Sequence, residues 1–467
     1  MVHELGARGQ LAALRRGELS PLDLLAHALS RIDRLDTGPD ALGAFAEVTA
    51  DAARDRAASL AAAPPTGPLW GLPTAEKDLV ARAGVLTRYG SVVRADHVPT
   101  ASDPAAQILD EAGAVSLGKT NTPEFGLTGY TESAVAPPAR DPWDPRNGAG
   151  GSSGGAAVAV AAGLLACAVG SDGGGSIRIP AATVGVVGLK PSRGRLPVGS
   201  GMDAPDGLAV HGPLATTVAD AAMLLDVLAG ARPYPYATAA PGTGPFLDAA
   251  LRPPAPLRIG VTPVSPWDDA AEIRLHPSAR AAWSHAAETL AGLGHAVTDA
   301  RWAPQGYAEL FQVLWRASAA RIPLSEDELA RVQPITAWLV REGRALSAPT
   351  LLGALAAART FERETVEAFA GFDAVLTPAL ALPPQPVGSF DPVDAERNFS
   401  QQVEYAPYSS FVNVAGLPAI TVPVTRDETG HPVSVQLVGR PGGEAAIIAL
   451  AAQLEAARGP LPHPPCW

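Results

Sequence analysis

The chain has 467 residues, 47% of them hydrophobic and 18% charged, with 47 glycines and 46 prolines, which suits a globular protein rich in tight turns and excludes a disordered one. Its net charge of -12 lacks the basic footprint that unaided binding to nucleic acid or to an anionic membrane requires. Two cysteines, Cys167 and Cys466, write neither a disulfide framework nor a zinc site.

The stretch from residue 8 to 35 carries apolar residues at helical spacing, broken at "LSP". Ser20 can cap a helix there and Pro21 can open it, so two N-terminal helices are predicted. The first twenty residues contain no apolar signal-peptide core, and a reducing cytoplasm is the expected location. After an Ala-rich helix and the break "APPTGP", strand-like pieces begin at "LWGLPTAEKDLV" and alternate with helices to about residue 230, the pattern of an α/β protein. Within it, "AAVAVAAGLLACAVG" from Ala156 to Gly170 is shorter than the roughly 20 residues of a membrane span and predicts a buried helix. Residues 232–246 read as an exposed linker, "LRIGVTP" as a strand and 277–370 as mainly helical. "FDAVLTPAL", "PAITVPV" and "HPVSVQLVGR" follow as strands, and a last helix runs to about residue 457. No repeat occurs at solenoid periods.

Two glycine-rich loops interrupt this pattern. "GSDGGGSIRIP" (170–180) sets three glycines before Ser176, and "GAGGSSGGAA" holds Ser152 and Ser153, with Ser152 placed 24 residues before Ser176. Consecutive glycines mark places where backbone approaches something closely or adopts positive φ, and linkers do not lead into apolar segments as these do. A phosphate cradle needs Gly-Lys-[Ser/Thr], but Ala156 and Ala157 follow the second loop. The G-x-S-x-G nucleophile elbow needs a preceding strand, whereas "ARDPWDPRNGAG" is polar and broken by proline. A Ser-His-Asp triad needs a histidine, and none lies between His97 and His211, although a distant one could fold in. Ser116 to Lys119 matches S-x-x-K at the end of a strand rather than at a helix start, and Lys119 reads as a surface lysine. Lys77, in "GLPTAEKDLV", either points inward or is solvated beside Glu76 and Asp78.

"GLPTAEKD", "GKTNTPEFG", "ARDPWDPRNGAGGSSGGAA", "GSDGGGSIRIPAA", "VGLKPSRGRLP" and "GPLATTVADAA" occur in the order and style of the amidase signature family, and "NVAGLPAITVPV" and "GHPVSVQLVGR" are similar to its closing segments. The likeness is strong over about 65–230 and weaker over 370–440. It implies one amidase domain over 1–467, with N-terminal helices (1–64), a signature core (65–230), a helical elaboration shaping the substrate channel (277–370) and closing strands with a last helix (371–457). The implied fold is α/β, a large mixed β-sheet covered by helices on both sides.

The resemblance further implies a Ser-Ser-Lys triad, with Ser176 the nucleophile, Ser152 the bridging serine after a cis Gly151–Ser152 bond, and Lys77 the base. An alcohol attacks only once a base takes its proton, and a lysine serves as that base only when burial makes it neutral near pH 7. Backbone N–H groups of Gly173, Gly174, Gly175 and Ser176 would form the oxyanion hole, a side chain at Gly174 or Gly175 would crowd the substrate carbonyl, and Asp172 with Arg178 would brace the loop. The implied reaction cleaves a small-molecule amide to acid plus ammonia or amine, with no metal or other cofactor, no nucleic acid and no membrane partner, and with homodimerisation left open. The alternative is the glutaminase-like component of a tRNA-dependent amidotransferase. That component has a tyrosine-rich stretch where this chain has "ALSAPTLLGALAAARTFERE". Tyr307, Phe311 and Trp315 fall on one helix face, either as core or as the wall of an acyl pocket.

Overall fold

Ser20 does what its position predicts. Its hydroxyl accepts from the N–H of Asp23 at 3.1 Å while the Asp23 carboxylate accepts from the N–H of Ser20 at 2.8 Å, a reciprocal cap that separates the helices Gly6–Arg15 and Pro21–Leu35. The computed structural model describes residues 2–199, 206–230, 240–242 and 244–467, so most of the expected linker at 232–246 lies outside the described residues.

Among the described residues thirteen strands follow in chain order: β1 Phe45–Val48, β2 Pro73–Lys77, β3 Val115–Thr120, β4 Arg140–Asp141, β5 Asp144–Gly148, β6 Cys167–Asp172, β7 Val187–Lys190, β8 Val210–Ala215, β9 Arg258–Val261, β10 Ala296–Asp299, β11 Ala374–Pro378, β12 Ala419–Arg426 and β13 Pro432–Gly439. Strands β4 and β5 pair as a small hairpin, and the other eleven form one sheet in the order β1-β3-β2-β6-β8-β7-β12-β13-β11-β9-β10. The sheet is mixed: β3, β2 and β6 run parallel, β6 and β8 antiparallel, and β11 and β9 parallel again. Helices flank it, as expected of the α/β class. No described helix is long and apolar enough to cross a membrane.

Two expectations need correction. The apolar run 156–170 is not one helix, because the helix Gly154–Ala161 stops and β6 begins at Cys167. Gly163, at φ 64°, turns the chain in the left-handed region that glycine enters without steric cost, and both halves are fully buried, so hydrophobicity alone does not tell helix from strand here. Lys119 is not on the surface. β3 is an interior strand between β1 and β2, and the Lys119 side chain is wholly buried with its ammonium donating to the Val80 carbonyl.

The main core joins the N-terminal helices, the helix Gly154–Ala161, the central strands and the C-terminal helix Glu444–Arg458. A second core, built on Trp267, Trp302, Tyr307, Phe311, Phe361 and Phe411, lies where the elaboration meets the sheet. The elaboration is helical as expected, apart from β10.

The helix Gly154–Ala161 approaches its neighbours so closely that a Cβ on Gly155 would land on backbone atoms of Asn121 and Ala44. Gly155→Val is expected to destabilise the fold by about 3 kcal/mol or more and to lower the thermal midpoint. Gly353→Ala, on an exposed helix face with open space around it, is expected to hold or raise that midpoint, by about 1 kcal/mol at most. Thermal melts of the two variants beside the parent check both.

Candidate active site

Parallel strands open their carboxyl ends to a common crevice, and here β2 and β6 are neighbours that both end at the site. Lys77 is the last residue of β2. Ser171 and Asp172 close β6, and because successive strand side chains point to opposite faces, Ser171 turns to Lys77 while Asp172 turns to Arg178. The loop 173–177 then leads into the helix Arg178–Val184.

The Lys77 Nζ is surrounded by hydroxyls. It donates to Ser152 Oγ at 2.7 Å, Ser153 Oγ at 3.0 Å and Ser171 Oγ at 3.1 Å, with the lysine 0% exposed. Neither neighbouring carboxylate pairs with it. Glu76 accepts from Arg82 at 2.5 Å and Ser116 at 2.7 Å, and Asp78 accepts from the backbone N–H groups of Arg88 and Gly90. Burial therefore dominates and lowers the Lys77 pKa to about 7, against a smaller opposing pull from Asp172.

Ser152 follows a cis Gly151–Ser152 peptide bond. Ser153 occupies the N-cap of the helix Gly154–Ala161 yet makes no side-chain cap, its hydroxyl being turned to Lys77 and β6 instead. The two serine loops face each other, and Ser153 N–H donates to the Ser176 carbonyl at 3.0 Å. Ser176 and Ser152 line one cavity of about 430 Å³, whose other walls include Leu79, Tyr89, Phe125 and Trp315. Ser176 also opens on a smaller cavity of about 70 Å³ walled by Phe311, Trp315 and Phe399. The aromatic stripe thus divides its work, since Tyr307 is fully buried and bonded to Ser410 while Phe311 and Trp315 reach the cavities.

Asp172 organises the loop around Ser176. Burial alone would raise its pKa, but the Arg178 charge and hydrogen bonds hold the carboxyl far below the usual carboxylate range. Arg178 Nη2 and Nε reach the two carboxylate oxygens at 2.9 and 3.0 Å, with both residues almost wholly buried. Asn413 and Gln436, more than 230 positions along the chain, complete the set through Asp172 and Arg178; both lie in the closing segments that resemble the family's, but nothing in the local pattern there marks them as partners of this ion pair. The structure revises one expected donor. The N–H of Gly175 donates to Asp172 Oδ1 at 2.8 Å, so it is already taken, whereas Gly173 and Ser176 line the larger cavity and Gly174 and Ser176 the smaller. Gly175 is a glycine for a different reason than expected. Its φ is 129° and a Cβ there would run into the Ser409 side chain rather than a substrate.

The chain contains only three lysines, Lys77, Lys119 and Lys190, and all three are buried. Lysine-selective ¹⁵N labelling is therefore expected to give three side-chain signals, with the Lys77 amine titrating at about 7. A Lys77 signal that stays protonated to pH 9 would contradict the burial argument.

The amidase family model matches residues 23–448. The putative amidase AmiB2 of Mycobacterium tuberculosis (strain ATCC 25618 / H37Rv) is 38% identical over 466 residues, covering 97% of this chain and 96% of that protein. A glutamyl-tRNA(Gln) amidotransferase subunit of Synechococcus sp. (strain WH7803) is 34% identical over 482 residues, covering 95% of each chain. The structure of 6-aminohexanoate cyclic dimer hydrolase complexed with substrate superposes with a TM-score of 0.90 at 30% identity, over 99% of this chain and 98% of that one. On the fold, the match along most of its length and these relatives, the chain belongs to the amidase family and is an amide-hydrolysing enzyme.

Proposed function

We propose that this enzyme cleaves small amides with an apolar body through a serine acyl-enzyme, with Ser176 as nucleophile, Ser152 as proton relay and Lys77 as base. The observation that carries the reading is a buried amine with hydroxyl partners and no carboxylate on it, bonded to Ser152, which together with Ser176 lines one cavity. Ser176 Oγ attacks the amide carbonyl carbon while its proton moves to Ser152 Oγ, and the Ser152 proton moves to the Lys77 lone pair. The tetrahedral oxyanion takes backbone N–H groups of Gly173, Gly174 and Ser176. Its collapse breaks the C–N bond, and the proton stored on Lys77 returns through Ser152 to the leaving ammonia or amine. Water then attacks the ester by the same relay and releases the acid and free Ser176.

Asp172 and Arg178 support this chemistry without touching it. Their ion pair fixes the loop, and by occupying Asp172 it keeps a full carboxylate charge from pairing with Lys77. The walls supplied by Leu79, Tyr89, Phe125, Leu127 and Trp315 favour an apolar acyl or amine portion.

The purified chain is expected to release ammonia or amine from aliphatic and aryl amides without partner, ATP or tRNA. Ser176→Ala is expected to lower that rate by about a thousandfold or more with an unchanged melting curve. Because the base must be neutral, the rate should rise with pH through about 7, and Lys77→Arg should not restore it, since guanidinium stays protonated. Ammonia release from glutamine alone, and only with partner proteins added, would instead identify the amidotransferase role of the Synechococcus relative.

A further inference from the structure

Ser153 and Ser171 stand outside the relay just described, yet both touch its base. Their proton bookkeeping is constrained by atoms that can play only one part. Ser153 Oγ lies 3.1 Å from the Ser171 carbonyl oxygen and 3.2 Å from the Ser171 backbone nitrogen. A carbonyl only accepts and a backbone N–H only donates. The one hydroxyl proton of Ser153 is therefore spent on the Ser171 carbonyl, and toward Lys77 Nζ this oxygen can only accept. A neutral amine has two N–H bonds and one lone pair. With one N–H held by Ser153, the second N–H and the lone pair are left for Ser152 and Ser171.

The lone pair must face Ser152, the serine at 2.7 Å from the amine, if the Ser152 proton is to move to it. The remaining N–H then points to Ser171 Oγ. We propose that Ser153 and Ser171 are positioning residues that hold the two N–H bonds of the neutral Lys77 amine and so aim its lone pair at Ser152 Oγ. The proposal rests on the amidase reading given above. It accounts for two local features, the N-cap serine that declines to cap its helix and the tie of Ser153 to both the side chain of Lys77 and the backbone of β6. The same three oxygens receive the three N–H bonds of the ammonium after proton transfer, so the base changes charge without any partner having to move. Asp172 is the charged group that acts on this amine; Glu76 and Asp78 are engaged by Arg82, Ser116 and backbone N–H groups.

The test compares the parent enzyme, Ser171→Ala and Ser171→Thr, using steady-state kinetics on one apolar amide and the ¹⁵N-lysine titration of Lys77. Removing the Ser171 hydroxyl takes one acceptor of three from the ammonium. The Lys77 midpoint is expected to fall by about one pH unit, and kcat at the alkaline plateau to fall about tenfold or more with KM little changed. Ser171→Thr keeps the hydroxyl and is expected to recover most of both. A Ser171→Ala variant with parental kcat and an unmoved midpoint would overturn the proposal. So would a lowered kcat with an unmoved midpoint, which would place Ser171 on the substrate rather than on the amine. The midpoint is read without substrate, so a parent enzyme that hydrolyses no amide would sink the functional reading while the titration still decides the role of Ser171.

Discussion

An amine buried with no carboxylate of its own is the constraint from which the rest of the site follows. Moving the Lys77 pKa from 10.5 to about 7 corresponds to roughly 5 kcal/mol in favour of the neutral form, which an adjacent carboxylate would readily cancel. The fold therefore has to keep anions away from a residue flanked in sequence by Glu76 and Asp78. It does so by giving each acid another partner: Arg82 and Ser116 for Glu76, a turn of backbone N–H groups for Asp78, and Arg178 for Asp172. The pleat of β6 makes the last of these cheap, because Ser171 and Asp172 leave the strand on opposite faces.

Arg178 suits its task for reasons of shape. A planar fork of donors spans both oxygens of Asp172 and still reaches Ser409, Gln436 and Asn413. A buried ion pair is weak evidence for stability, since desolvation offsets the Coulombic gain. What this one does is fix geometry. Asp172 also takes the N–H groups of Gly175 and Ile177, so the backbone on either side of Ser176 is tied to a single carboxylate.

How much of this the sequence discloses depends on how far apart the interacting residues lie. Lys77, Ser152, Ser176, Asp172 and Arg178 sit in short glycine- or strand-flanked motifs that carry the family resemblance, while the helices at 6–15 and 21–35 are legible from Ser20 and Pro21 alone. Asn413 and Gln436 lie in the closing segments that resemble the family's, but their part in the site depends on the fold, which brings them to Arg178. Ser153 and Ser171 lie in plain view, but their role depends on which atom donates, and spacing does not encode that. The run 156–170 misleads for another reason: when helix and strand are both buried on all sides, the amphipathic period that distinguishes them vanishes.

The scarcity of lysine carries the same argument to the scale of the chain. With 32 arginines and three lysines, the cationic groups of the surface are guanidinium. Lysine is kept for interior places where a compact amine meets a hydroxyl or a carbonyl: Lys77 on three serines, Lys119 on Val80 and Lys190 on Pro191 at 2.9 Å. A guanidinium fits none of these well, because it needs a planar fork of acceptors and does not give up its charge. An ammonium in such a place can shed its proton instead of paying full desolvation, and burial pulls the pKa of all three below the usual lysine value. Burial thus pushes all three toward the neutral amine; what sets Lys77 apart is that its partners are hydroxyls, able to pass a proton on, where the other two meet carbonyls that cannot.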